Sequence, residues 1–162
     1  MGWEVRGFVL REMDIPYCLG CFGCWVKTPG FCIMKDATRD IAGTFIRSDL
    51  AVLLTPVTFG GYSSELKKAL DRMICLLSPF FRKVGGEVHH RPRYDRYPRW
   101  MALGALPESE PEEEEIFSRL VERNAINLYA PDHVSGILIE DQGDDEIRPF
   151  LQNLFEKVGV RK

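Results

Sequence analysis

The chain alternates between two kinds of apolar pattern. Leu50-Ala51-Val52-Leu53-Leu54 is a continuous apolar run closed by Thr55-Pro56. A run that does not alternate suits a strand covered on both faces, as in parallel sheets. Trp100 to Leu106 and Val134 to Ile139 read as two further strands. Between them lie helical stripes. Leu66, Ala69, Leu70, Met73, Ile74 and Leu77 keep one face of a helix that Ser63 or Ser64 can cap. Ile116, Phe117, Leu120, Val121 and Ala125 mark a second, entered through the acids Glu112 to Glu115. Ile147, Phe150, Leu151, Leu154, Phe155 and Val158 mark a third, starting near Asp144 or Asp145. A further helix is expected from an N-cap at Asp36, with Ile41, Phe45 and Ile46 on one side. Glu4 to Leu10 reads as a short opening strand, weakened by Gly7.

Strand and helix in alternation predict an open α/β sheet with helices on both faces. The 162 residues suit a single domain, 1–162. Two stretches interrupt the pattern: a Gly-, Pro- and Cys-rich loop at 14–35 and a long excursion at 78–99. In the excursion Arg82, Lys83, Arg91, Arg93, Arg96 and Arg99 face only Glu87 and Asp95, a balance of +4. It is expected to be a solvated loop, with contact to a nicotinamide phosphate or a partner protein as the alternative. The acidic run at 108–115 is read as a helix start.

Composition narrows the function classes. The chain is 45% hydrophobic and 28% charged, ordinary for a folded domain. A net charge of −3 argues against a dedicated nucleic-acid binder. No apolar run approaches the ~20 residues of a bilayer span. The expected location is cytoplasmic, with no membrane partner. Ser-His-Asp, metalloprotease and phosphate-loop signatures are absent from the sequence.

In open α/β sheets, ligands bind at the carboxyl ends of the strands. Thr55-Pro56-Val57-Thr58-Phe59-Gly60-Gly61-Tyr62 falls there. Its glycines allow close backbone approach, and Phe59 and Tyr62 offer flat surface that suits a planar heterocycle such as a flavin ring. The plainer alternative is a turn carrying two core aromatics. Cys18, Cys21, Cys24 and Cys32 form C-x2-C-x2-C-x7-C, closed beyond a turn at Thr28-Pro29-Gly30. Reduced, crowded cysteines point to metal or redox work. A [4Fe–4S] cluster takes four thiolates. A four-cysteine zinc site and free thiols remain open. Cys75 is expected to be a small buried hydrophobe. His89 and His90 are expected to be solvated, and His133 to be structural.

These residues resemble the NADPH-dependent FMN reductase family of the flavodoxin-like fold, in its iron–sulfur flavoprotein branch. The likeness runs from Asp14-Ile15-Pro16-Tyr17-Cys18 through Gly20-Cys21, Cys24, Gly30, Cys32 and Lys35-Asp36. It continues through Ser48-Asp49, Thr55 to Gly60 and Leu66-Lys67 to Asp71-Arg72. The resemblance implies a flavodoxin-like three-layer α/β/α domain with a parallel sheet. It implies FMN held along Thr55 to Tyr62, a [4Fe–4S] cluster on Cys18, Cys21, Cys24 and Cys32, and NAD(P)H or a ferredoxin-like protein as electron donor. It also implies a homodimer or homotetramer. Thr58 departs from the family, which often carries an aromatic there. Glu4 to Leu10 corresponds to the family's second strand, so the first strand and its FMN-phosphate loop are expected to be missing. The alternative function is therefore a non-catalytic relative that binds metal through the cysteine loop without holding FMN tightly.

Overall fold

A computed structural model describes residues 2–160. They form two compact units, interleaved along the chain. One comprises 2–47 with 64–95, the other 48–63 with 96–160.

The second unit carries the sheet. Its strands are β1 (Leu50–Thr58), β2 (Gly61–Tyr62), β5 (Arg99–Leu106) and β6 (His133–Ile139), in the order β2-β1-β5-β6. β1 runs parallel to β5 from Leu50↔Arg99 to Pro56↔Ala105, and β5 runs parallel to β6 from Trp100↔His133 to Leu106↔Ile139. Two helices, α4 (Pro111–Asn127) and α5 (Asp144–Lys157), supply the cover. Strand alternation decides which residue meets which helix. Met101 and Leu103 pack with Leu154 of α5 and with Val158 at its C-cap. On the opposite face, a side chain at Gly104 would strike Phe117 of α4, and Ser135 Oγ bonds Ser118 Oγ of α4 at 3.1 Å. Trp100, Met101, Ala102, Phe117, Val121, Ala125 and Val158 are wholly buried. Parallel strands with a helix on each face give the open α/β sheet that the apolar runs predict and the flavodoxin-like arrangement that the resemblance implies. β1 departs from the two-sided cover expected of its apolar run, leaving Val52 and Leu54 exposed.

β1 is longer than its apolar run, reaching Thr58 through Pro56. Among the described residues, its outer side is paired only at Val57 and Thr58, with β2. Proline within a strand is tolerated at such an edge, because no ladder bond there needs its missing N–H.

The first unit contains the short helix α1 (Gly23–Val26), α2 (Thr38–Arg47), α3 (Ser64–Arg72) and an antiparallel hairpin, β3 (Leu77–Val84) with β4 (Glu87–Pro92). Asp36 caps α2 as expected, accepting from the Thr38 N–H at 3.0 Å. α3 is shorter than its apolar stripe predicts. It stops at Arg72 and tightens into a 3-10 turn over Met73–Leu76 before Leu77 enters β3.

Two expectations are corrected here. Glu4 to Leu10 forms no strand; a 3-10 turn occupies Leu10–Glu12 instead. A strand exists only through its ladder, and no described segment pairs with 2–9, so local β-propensity is not enough. The excursion at 78–99 is largely the β3–β4 hairpin rather than a solvated loop. Val84 and Glu87 pair across Gly85-Gly86, both at positive φ, as a two-residue hairpin turn requires.

Candidate functional site

The cysteine loop belongs to the first unit. Phe22 adopts φ +52 and starts α1, which carries Cys24. The chain then turns at Thr28-Pro29-Gly30, where Phe31 N–H bonds Thr28 O at 2.8 Å and Gly30 N–H bonds Cys24 O at 3.1 Å. Trp25 anchors the loop by donating its indole N–H to Leu77 O at 3.0 Å. Arg39 of α2 donates to Cys32 O and Met34 O at 2.8 and 3.0 Å. The result is a concave surface of about 290 Å³ lined by Cys18, Cys21, Cys24, Cys32 and Arg72.

All four cysteines of the spaced motif therefore reach one pocket. Cys18 and Cys21 are exposed, Cys32 is half-buried and Cys24 is buried. Burial pushes the Cys24 thiol up, with further upward pressure from Cys32, Cys18 and Cys21. Among the described residues, no three Cys, His, Asp or Glu side chains have closed to metal-holding distances. Four thiols are the donor number that a [4Fe–4S] cluster takes, and two of these line the pocket open to solvent. Cys75 is buried, and burial pushes it up to about 11, with Cys24 and Cys32 adding to the rise. It behaves as the expected small hydrophobe.

Arg72 was not singled out for a role on sequence. Its side chain is 1% exposed, yet it carries a charge. Nη1 lies 2.7 Å from Asp36 Oδ2 and donates to Pro16 O at 3.2 Å. Nη2 donates to Cys32 Sγ at 3.1 Å. For Asp36, burial opposes the charged form, but the Thr38 bonds and the Arg72 guanidinium outweigh it and hold the carboxyl below the usual range. A signal existed: Arg72 stands three residues beyond Ala69, on the buried side of α3.

The second candidate segment, Thr55 to Tyr62, belongs to the second unit. β1 and β2 form a hairpin whose turn is Phe59-Gly60, at φ +50 and +71. Thr55 is buried; its hydroxyl donates to Pro56 O and accepts the Ser63 N–H, both at 3.0 Å. The Gly60 N–H is given to Glu113 Oε2 at 3.3 Å. Tyr62 is a core residue. Its ring meets Phe117 edge-on, its hydroxyl lies 3.4 Å from Asn124 Nδ2, and burial pushes its phenol up to about 12. Gly60 is buried, and Val57 and Gly61 are half-buried. Pro56, Thr58 and Phe59 face solvent, Phe59 at 91% exposure. The flat surface open to a ligand is thus Phe59, not Tyr62.

The histidine expectations are corrected. His89 is buried with Nε2 3.0 Å from Glu87, and His90 packs against the rings of Trp25 and Phe81. Placement on β4 rather than in a loop brings them inward. His133 opens β6 and is exposed. Arg93 also has a structural use, donating to Cys75 O and Leu77 O, both at 3.1 Å. No helix among the described residues is long and apolar enough to cross a membrane.

Two iron–sulfur flavoproteins of Methanocaldococcus jannaschii are 33% and 35% identical over 87 and 89 residues. Each of those stretches is 54% of this chain, and they cover 43% and 45% of the two relatives. An iron–sulfur flavoprotein of Archaeoglobus fulgidus is 30% identical over 73 residues, 45% of this chain and 32% of its own length. The chain thus spans less than half the length of these curated relatives. Residues 1–92 match the family described as NADPH-dependent FMN reductase, and with more than half of its 162 residues inside that match, the chain belongs to this family.

Proposed function

We propose that this chain works as an FMN-dependent oxidoreductase that relays electrons through a [4Fe–4S] cluster, with NAD(P)H or a ferredoxin-like protein as donor. The observation that carries the reading is the convergence of Cys18, Cys21, Cys24 and Cys32 on one pocket, in a chain of a flavin-reductase family. When bound, FMN would accept a hydride from a reduced nicotinamide, and the cluster would carry its electrons singly.

The chain's own residues would divide the work. Phe59 would stack on the flavin ring, with Pro56 and Thr58 beside it as the other exposed side chains of the segment. Thr55 would hold the loop's shape through its two hydroxyl bonds. Gly60 would keep the turn tight where a Cβ would lie 2.5 Å from Ile116. The four cysteines would supply the thiolates. Val52 and Leu54 expose apolar surface on β1, beside a strand edge of the kind that templates pairing; self-association as a homodimer or homotetramer belongs to the same reading.

One observation favours the alternative, a relative that binds metal without holding FMN tightly. The loop has already given the Gly60 N–H to Glu113 and the Tyr62 ring to the core. Fluorescence titration of FMN into anaerobically reconstituted protein separates the two. Flavin quenching with saturable binding, followed by bleaching on addition of NADPH, supports the oxidoreductase. Iron uptake without flavin quenching supports the metal-binding relative.

A further inference from the structure

The cysteine pocket contains a charged side chain that ligand chemistry leaves unexplained. Arg72 is buried at the end of α3, and taking a guanidinium out of water is unfavourable unless it is paired. Asp36 meets that need through Nη1, and Asp36 is itself held by the Thr38 N–H at the start of α2. A purely structural ion pair would end there. The guanidinium instead extends Nη2 to Cys32 Sγ, and its Nε–H is buried without a hydrogen-bond partner among the described residues. Arg72 also lines the pocket with all four cysteines. Only a planar fork can hold a carboxylate with one arm and a sulfur with another; an ammonium on a flexible stem cannot hold both in fixed directions.

We propose that Arg72 is a positioning residue that sets the reduction potential of a cluster held by Cys18, Cys21, Cys24 and Cys32, through its N–H bond to Cys32 Sγ. The inference rests on the cluster reading of the preceding section. Hydrogen bonds to ligand sulfurs and nearby positive charge both favour the more negative, reduced state, and so raise the potential. The reaction that reads it out is one electron passed from a reduced viologen dye to the protein-held cluster. The dye is oxidised by one electron, no covalent bond breaks and no proton is taken up.

The test compares reconstituted wild-type protein with Arg72→Lys and with the double variant Arg72→Met, Asp36→Asn. The first keeps a charge for Asp36 but loses the fork. The second removes the pair together, leaving no uncompensated buried charge. Iron and sulfide content, circular dichroism and a dye-mediated redox titration followed by electron paramagnetic resonance are measured on each. The expected result is equal iron loading and a shift toward the oxidised form in both variants. The ratio of reduced to oxidised cluster at a fixed potential should fall about tenfold, equivalent to ~59 mV for one electron. A purely structural Arg72 would lower the melting temperature and leave the potential in place. Potentials within twofold of wild type in ratio overturn the proposal while the cluster reading stands. Folded variants that no longer load iron also overturn it, by making Arg72 a residue of assembly. Wild-type protein that takes up no iron and sulfide defeats the cluster reading itself, and the inference with it.

Discussion

Gly60→Ala tests whether the β1–β2 turn is as tightly determined as its geometry implies. Phe59-Gly60 is a two-residue turn with both residues at positive φ, the form that suits strand twist and favours glycine. An alanine at φ +71 costs about 1–2 kcal/mol from the Cβ–carbonyl clash. The added methyl would also lie 2.5 Å from Ile116 Cγ2 and 2.7 Å from Ile116 Cβ. Rotating Ile116 moves Cγ2, but its Cβ is fixed to α4. Overpacking of this kind costs about 1–3 kcal/mol. The stiffer unfolded chain returns about 0.4–1 kcal/mol. The net loss is therefore roughly 1–4.6 kcal/mol, a fall in melting temperature of about 2–18 °C for a chain of this size. Thermal and urea unfolding measure it. Ile116→Ala in the same protein removes Cγ2 and keeps Cβ, so it should recover part of the loss, with a coupling of about 0.5–3 kcal/mol. A Gly60→Ala protein within ~0.5 kcal/mol of wild type, or losses that simply add in the double variant, would refute the reasoning.

Phe59→Ala should leave stability within about 0.5 kcal/mol, because the ring is exposed, and weaken FMN binding roughly tenfold by removing a stacking face; a fluorescence titration that does not change sinks that role. Tyr62 keeps its proton up to about pH 12 when folded and about pH 10 when unfolded. The folded state then binds more protons in that window, so the stability from this group is complete below pH 10 and is lost as pH rises to 12. Urea midpoints should fall between those limits, and less steeply in Tyr62→Phe. Iodoacetamide should label Cys18 and Cys21 of the metal-free protein before Cys24 and Cys75, following exposure; mass spectrometry showing Cys75 labelled first would contradict the packing. Arg93→Ala removes the side-chain donor to Cys75 O and one of the two to Leu77 O, which keeps the Trp25 indole, and should cost about 1–3 kcal/mol, read as a lower urea midpoint.

The sheet and its two covering helices were legible because their patterns are internally consistent. A continuous apolar run such as Met101 to Leu103 needs cover on both faces, and α4 and α5 carry stripes to give it. The spacing of the four cysteines anticipated their shared pocket for a local reason: three sulfurs within seven residues cannot travel far apart. What failed depended on distant partners. Val5, Phe8 and Val9 have strand propensity, but propensity does not supply a neighbour. The hairpin at 77–92 was hidden by its charges and Pro79, though Gly85-Gly86 between Val84 and Glu87 was a usable turn signal. Tyr62 and Phe59 look alike as aromatics beside glycine; only the β1–β2 register sends one into the core and leaves the other in water. Arg72 was hidden because a charge at the end of a helix is ordinarily a surface residue. Its burial is set by Asp36, 36 residues earlier in the chain.

Iron and acid-labile sulfide counted per chain after anaerobic reconstitution bear most directly on the four-cysteine pocket. Wild-type protein and Cys75→Ala should each hold four irons and four sulfides, and a serine at position 18, 21, 24 or 32 should reduce that number. Wild-type protein that remains free of iron, or a Cys75→Ala protein that loses as much as the four serine variants, would contradict the assignment.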